Sequence, residues 1–204
     1  QILFIIMKTE RKKPFFTRNL LTALRFIKES RYYIYFSVVI FVFFAIFGAL
    51  FPIPGFVEQE LLKIIQELIK KTEGMDFFQI TWYIFWNNTK VSLFAILSGI
   101  FLGFIPAIGQ MFNGYLIGFI SSKSASQEGI FILWRLLPHG IFELPAVIIS
   151  IGIGIKFGTF LFKKNKAGAL RYYFINSMKV FFFVVLPLLA IAAVIEGLLI
   201  SFIG

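Results

Sequence analysis

The sequence contains no cysteine, only one histidine (His139) and few charges of either sign. Without cysteine, disulfides and thiolate metal sites are excluded, although this says nothing about the compartment. Neither HExxH nor GxSxG occurs, so the motifs of a zinc protease and of a serine hydrolase are missing. No RNA- or DNA-binding motif is present either, so the formal net charge of +10 points to anionic lipid headgroups rather than to nucleic acid.

Hydrophobic residues, in contrast, make up 59% of the chain, well above their share in soluble domains. They form continuous runs that approach the roughly 20 residues needed to cross a bilayer as a helix. We therefore predict an all-α integral membrane protein, a helical bundle of about five transmembrane spans in a single domain, 32–204. The expected spans are 32–51, 82–104, 106–122, 130–161 and 180–202.

Two amphipathic segments accompany the spans. In the N-terminal segment 1–31, Phe16, Leu20, Leu24 and Ile27 recur at helical spacing among many Lys and Arg residues, which is typical either of a basic helix on the membrane surface or of an ordinary basic flank of the first span. Segment 56–73 also has one apolar stripe. Its region is more acidic than basic, so we expect an extracytoplasmic helix.

The number of spans depends on the apolar stretch 91–120, which is either one long helix or two helices joined by a turn at Pro106. The loop 163–179 is basic and has no acidic residue, so it belongs in the cytoplasm. With the N-terminus also inside, only the two-helix interpretation satisfies this rule. We therefore expect a multi-pass protein of the cell membrane with a cytoplasmic N-terminus and an extracytoplasmic C-terminus.

Glycines occur four residues apart in three consecutive spans. Such pairs allow helix backbones to approach closely in lipid. They favour a tight bundle, a homo-oligomer (most simply a dimer), or both. The pairs are Gly99 and Gly103, Gly114 and Gly118, and Gly154 and Gly158.

Ionisable residues inside apolar runs are the candidate functional residues, because such groups are costly in a bilayer. The predicted intramembrane polar cluster comprises Arg135, His139, Glu143 and Glu196. Asn87, Asn88 and Asn113 are its polar companions. Leu189, Ala192, Ala193 and Glu196 share one helix face, so we expect Glu196 to face the bundle.

Prolines are expected to interrupt the helices at Pro106, Pro138 and Pro187. If Pro138 begins a half-helix, its missing N–H costs nothing. His139 and Glu143 then lie in the first turns, where the helix dipole favours a carboxylate. The fourth span is therefore predicted to be broken at Pro138.

Three roles remain open for this cluster. It could be a structural lock between the fourth and fifth spans, or it could line a proton or ion path. It could also be catalytic, with His139, Glu143 and Glu196 as weak candidate metal ligands, but HxxxE alone supplies only two ligands. We assign no catalytic residue and no cofactor, and an enzyme is the less favoured interpretation.

The motifs together resemble the stage II sporulation protein M family of integral membrane proteins. The matching pieces are "NNTKVSLFAILSGIFLG" at 87–103, "NGYLIG" at 113–118, "LLPHGIFELPAVIISIGIGIKFG" at 136–158 and "AAVIEG" at 192–197. The family's recurring residues map onto Asn88, Gly114, His139, Gly140, Glu143, Pro145, Glu196 and Gly197. The resemblance implies a scaffold without hydrolytic activity, because the sporulation member recruits two cell-wall hydrolases.

We therefore expect a scaffold or membrane-organising component whose partners are the lipid bilayer, a second copy and other membrane or cell-envelope proteins. The alternative is a transporter or channel with a polar intramembrane cavity. An intramembrane metal-dependent hydrolase comes third.

Overall fold

The computed structural model describes residues 14–51, 55–129 and 137–203, and these ranges contain helices and turns but no strand. This confirms the prediction of an all-helical fold. The helices are α1 (Phe15–Glu29), α2 (Arg31–Leu50), α3 (Gly55–Thr72), α4 (Phe77–Leu97), α5 (Phe104–Glu128), α6 (Leu137–Gly158), α7 (Lys166–Val180) and α8 (Leu186–Ile203).

Four helical stretches of the described residues are long and apolar enough to cross a membrane. They are Arg31–Leu50, Phe104–Gln127, Ile141–Phe162 and Lys166–Ser201. α4 is 21 residues long but falls outside this set, because Asn87, Asn88 and Lys90 lie in its second half. The chain is thus a membrane protein with four clear candidate spans, and the role of α4 as a fifth span stays a prediction.

α4 begins earlier than predicted because Asp76 caps it. The Asp76 carboxylate accepts a 2.9 Å hydrogen bond from the backbone N–H of Gln79, and the Gln79 side chain accepts one of 3.1 Å from the Asp76 N–H. This reciprocal pair satisfies two N–H groups at the helix start. The helix therefore starts at Phe77 rather than at the expected residue 82.

The turn between α4 and α5 lies at residues 98–103 rather than at Pro106. A 3₁₀ turn at Ser98–Ile100 is followed by Leu102 and Gly103 with φ of 57° and 73°. Pro106 instead sits in the first turn of α5, where its missing N–H removes no helical hydrogen bond. The predicted helix break at Pro106 is therefore a helix start.

α7 and α8 form one continuous helical rod, whereas we expected a loop up to residue 179. Asn165 begins the rod by accepting a 2.9 Å hydrogen bond from the N–H of Gly168. The rod widens into a π-type turn at Phe181–Val185, just before Pro187. A proline ring collides with the carbonyl four residues earlier, here that of Phe183, and the wider turn accommodates it without ending the helix.

α6 is the central helix of the bundle. In the most apolar part of this candidate span, 61% of the residues are buried, against 17% to 33% in the corresponding parts of the other three. α6 packs against α2, α4, α5 and α8. Gly154 near the end of α6 approaches Ala95 near the end of α4, so these two helices run parallel. Gly197 near the end of α8 approaches Thr81 near the start of α4, so α8 runs antiparallel to α4.

α1 packs against α7 through a different face from the predicted stripe. Asn19, Ala23 and Phe26 are its buried residues, whereas Phe16 and Leu24 are exposed. Phe26 makes an edge-on ring contact with Tyr172 at 5.9 Å between centroids. The basic amphipathic helix therefore exists, with Phe26 buried against the bundle and Phe15, Phe16 and Leu24 largely exposed.

Candidate functional site

Glu196 lies on the buried face of α8. It is only 8% exposed, and Leu189, Ala192 and Ala193 on the same face are almost completely buried. The small alanines bring α8 close to its neighbours. Directly after Glu196, Gly197 packs against the side chain of Thr81 on α4. The carboxylate is thus held inside the bundle, on the face that the sequence pattern indicates.

Glu143 is half-buried on α6, one turn before the fully buried Ala146. Because α6 and α8 pack together and run in opposite directions, Glu143 near the start of α6 lies toward the same end of the bundle as Glu196 near the end of α8. The fold thus brings the two carboxylates to one end of the bundle.

The other predicted members of the cluster are described only in part. His139 belongs to the first turn of α6, but its side chain lies outside the described residues, as does Arg135 altogether. Pro138 is the second residue of α6. The segment that precedes it, where the predicted break would lie, is also outside the described residues. Within the described part of the chain, no three His, Asp or Glu side chains are grouped as metal ligands.

Pro145 lies inside α6, two residues after Glu143. A proline within a helix leaves the carbonyl four residues earlier, here that of Ile141, without its helical N–H partner. The backbone next to Glu143 therefore carries an additional hydrogen-bond acceptor.

All six glycines of the predicted pairs are used within one chain. Gly114 meets the backbone of Phe41 on α2 and Gly118 meets that of Ala45, while Gly99, Gly103, Gly154 and Gly158 bring α4, the 98–103 turn and α6 together. At each of these positions a Cβ atom would overlap the facing backbone. The glycine pattern is thus explained by packing within the chain, without a second copy.

Lys156 is a buried cation that the sequence analysis missed. It lies on α6 with 6% of its surface exposed, and its Nζ donates a 3.1 Å hydrogen bond to the hydroxyl of Ser30. Nζ also lies 4.1 Å from the centroid of the Phe26 ring and 3.8 Å from the Glu29 carboxylate. The aromatic ring and the carboxylate compensate the charge. Its signal in the sequence is a single lysine within a long apolar run.

Gln110 is the second polar residue that the sequence analysis missed. It is completely buried on α5, and its Nε2 donates to Oγ and to the carbonyl oxygen of Ser37 on α2, at 3.0 and 3.2 Å. Hydrogen bonds between side chains of neighbouring helices stabilise helix pairs in membranes. Gln110 and Ser37 therefore connect the same two helices that Gly114 and Gly118 bring together.

α4 presents an uncovered face that carries polar groups. Asn87 and Lys90 are exposed, and Trp82 and Trp86 stack in parallel beside them with ring centroids 6.2 Å apart. The Lys90 ammonium lies 5.5 Å from the Trp86 ring. These four side chains, together with Gln79, line a cavity of about 420 Å³ on the outside of the bundle. Asn88 and Asn113, the other polar companions, are half-buried.

Comparison with known proteins places these observations in a family. The family description "Stage II sporulation protein M" matches residues 37–199. Two uncharacterized proteins of Methanocaldococcus jannaschii are similar: MJ0706 is 32% identical over 137 residues (64% of this chain and 60% of the relative), and MJ0793 is 39% identical over 72 residues (34% of this chain and 40% of the relative). The matches therefore span less than two thirds of each relative. No solved structure matches. The match from α2 to α8 confirms the resemblance seen in the motifs, and the chain belongs to the stage II sporulation protein M family.

Proposed function

We propose that this protein is a scaffold of the cell membrane that holds another membrane protein against α4. The observation that carries the proposal is the uncovered face of α4, defined by Gln79, Trp82, Trp86, Asn87 and Lys90. In the proposed topology the N-terminus is cytoplasmic, the C-terminus is extracytoplasmic and α4 crosses the bilayer.

The depth of Lys90 is the first argument. Lys90 is the fourteenth residue of α4, so at 1.5 Å per residue it lies about 20 Å from the start of the helix and about 10 Å from its end. A lysine in the centre of a membrane helix costs about 2.5–3.5 kcal/mol by insertion measurements. A neighbouring membrane protein that covers Lys90 and Asn87 with polar groups would remove much of this cost.

The charge on this face indicates what kind of partner fits. A symmetric second copy would bring Lys90 close to another Lys90, and like charges repel more strongly in a medium of low dielectric constant. The six paired glycines are already used within the chain. We therefore expect a different protein, with a membrane helix that carries a carboxylate at the depth of Lys90. Homodimerisation through another surface stays a separate prediction.

A photo-crosslinking experiment in native membranes tests this proposal. A photoreactive residue replaces Asn87 in one variant and Val39 in the control variant, since Val39 on α2 is 63% exposed beside the exposed apolar residues Phe36, Val42 and Phe43. We expect a defined protein adduct from position 87 only, with a carboxylate in the crosslinked peptide. Lys90→Glu should abolish the adduct, and changing the partner's carboxylate to lysine should restore it.

Two results would contradict the scaffold proposal. Adducts with lipid alone at both positions would mean that α4 faces the bilayer without a partner. An adduct with a second copy of this chain would show that α4 forms a homodimer interface rather than a contact with a different protein.

The buried Glu196 supports a second candidate, a transporter or channel, because intramembrane carboxylates often mark ion paths. Purified protein in sealed vesicles would then show proton or ion flux that is lost in Glu196→Gln. If the protein is a scaffold, neither the unchanged protein nor Glu196→Gln should show flux.

A further inference from the structure

A second cavity lies at the opposite end of the bundle from Glu143 and Glu196, where the α4–α5 turn, the end of α6 and the start of α7 meet. Its volume is about 430 Å³, within the range of small-ligand pockets. Its apolar lining comes from Leu97 and Ile100 at the end of α4 and in the α4–α5 turn, from Phe157 on α6, and from Leu170 and Phe174 on α7. Among the residues that the structure describes, Arg171 is the one charged side chain in its lining.

The charged residues of the segment that begins beside this cavity and forms α7, 159–180, are all positive. Lys163, Lys164 and Lys166 precede it in the chain and are exposed, as is Arg171 itself. No acidic residue occurs between Thr159 and Val180. Among the residues that the structure describes, no carboxylate pairs with any of these four cations. A negatively charged ligand at this apolar cavity would therefore complement the guanidinium at its edge and the ammonium groups nearby.

The surroundings determine the kind of anion. The cavity opens on the outside of the bundle beside exposed apolar side chains, those of Phe101 and Phe162 among them. A soluble anion would gain nothing from the apolar walls, whereas an acyl chain fits against them. Arginine matches the geometry of a phosphate group and can donate two hydrogen bonds to it. Basic pockets between membrane helices bind anionic lipid headgroups in this way.

We infer that this cavity binds an anionic phospholipid from the adjacent leaflet, with an acyl chain between the α4–α5 turn and α7 and with its phosphate at Arg171. Lys163, Lys164 and Lys166 add long-range attraction for the negative headgroup. This inference is independent of the role proposed for α4, because the two cavities share no residue.

Lipid titration of the purified full-length chain, followed by native mass spectrometry, tests this inference. The probes are phosphatidylglycerol, which is anionic, and phosphatidylcholine, which has the same chains and no net charge. Arg171→Gln removes the phosphate ligand, and Ala167→Trp fills the cavity. Lys28→Gln is the matched control, because it removes one exposed positive charge from α1, which does not line the cavity.

We expect the unchanged protein to retain phosphatidylglycerol in preference to phosphatidylcholine, and Arg171→Gln to bind phosphatidylglycerol about tenfold more weakly. Ala167→Trp should reduce the binding of both lipids, and Lys28→Gln should behave like the unchanged protein. The inference is wrong if Arg171→Gln retains full phosphatidylglycerol binding. It is equally wrong if Lys28→Gln loses as much as Arg171→Gln, or if the unchanged protein binds both lipids equally.

Discussion

The ammonium of Lys156 donates a 3.1 Å hydrogen bond to the hydroxyl of Ser30, the single residue between α1 and α2. The Ser30 hydroxyl donates in turn to the carbonyl oxygen of Phe26, at 2.6 Å. Glu29 lies beside the ammonium and also accepts a 3.0 Å hydrogen bond from the hydroxyl of Tyr172 on α7. One buried cation thus joins the corner between α1 and α2 to the central helix and to α7.

Replacing Lys156 by methionine should loosen this corner. The change keeps the unbranched chain but removes the charged donor, and hydrogen bonds to charged groups contribute about 1.5–3 kcal/mol. We expect a lower melting temperature in detergent and faster proteolysis between α1 and α2. Lys163→Met is the control, since Lys163 is exposed. Equal melting temperatures for the two variants would show that the Lys156–Ser30 contact does not stabilise the fold.

Gly118→Ala should separate α2 from α5. The added Cβ would overlap the backbone of Ala45, and overpacking of this kind costs about 1–3 kcal/mol. Gly109→Ala on the same helix is the matched control, because nothing lies within 4 Å of its Cβ position. There we expect no loss, or a gain of up to about 1 kcal/mol from the better helix propensity of alanine. The measurement is the thermal unfolding of both variants. A similar loss of stability in Gly118→Ala and Gly109→Ala would contradict the role of the close contact.

A double-mutant cycle tests the structural lock between α6 and α8. If Glu143 and Glu196 belong to one polar network, Glu143→Gln and Glu196→Gln should each lower the melting temperature. Their effects should also be non-additive by about 0.5–3 kcal/mol. His139→Ala, combined with Glu196→Gln, extends the cycle to the imidazole. If His139→Ala and Glu143→Gln leave both the melting temperature and the oligomeric state unchanged, the lock hypothesis is wrong.

The topology can be tested directly because the chain has no cysteine of its own. Lys70→Cys on α3 and Lys164→Cys before α7 each introduce one exposed thiol. In sealed right-side-out vesicles, a membrane-impermeant maleimide should label the thiol at position 70 at once. It should label the thiol at position 164 only after permeabilisation. Labelling of both thiols from the same side would contradict the five-span topology.

The buried face of α8 could be predicted because Leu189, Ala192, Ala193 and Glu196 follow the helical period, and because small residues favour close helix contacts in lipid. The turn at residues 98–103 could not. It contains Phe101 and Leu102, whereas Pro106 a few residues later gave a stronger but misleading signal. A proline marks a helix start as readily as a helix break, and only the surrounding backbone distinguishes the two.

The contacts of the buried polar residues could not be predicted from the sequence either. The basic residues of α7 indicate a loop, but the same composition also suits a helix that continues beyond its apolar span. Lys156 and Gln110 are single polar residues in apolar runs, so the sequence shows that they are costly but not what they contact. Their partners, Ser30 and Ser37, are common small polar residues with no distinctive spacing. The contacts follow from how α2 crosses α5 and α6, which no local pattern encodes.

The close glycine contacts limit side-chain size at particular points of the interior. Where backbones touch, as at Gly114 and Phe41 or at Gly154 and Ala95, the interior has no room for bulk. Large side chains lie away from these contacts, either elsewhere in the interior, as Phe26 and Phe157 do, or on the outside, as Phe43 and Phe94 do. Exchanging one apolar residue for another on the surface should therefore change the stability little, whereas a single methyl group added at a glycine contact should lower it. At these contacts, steric volume rather than hydrophobicity limits which residues the sequence can accept.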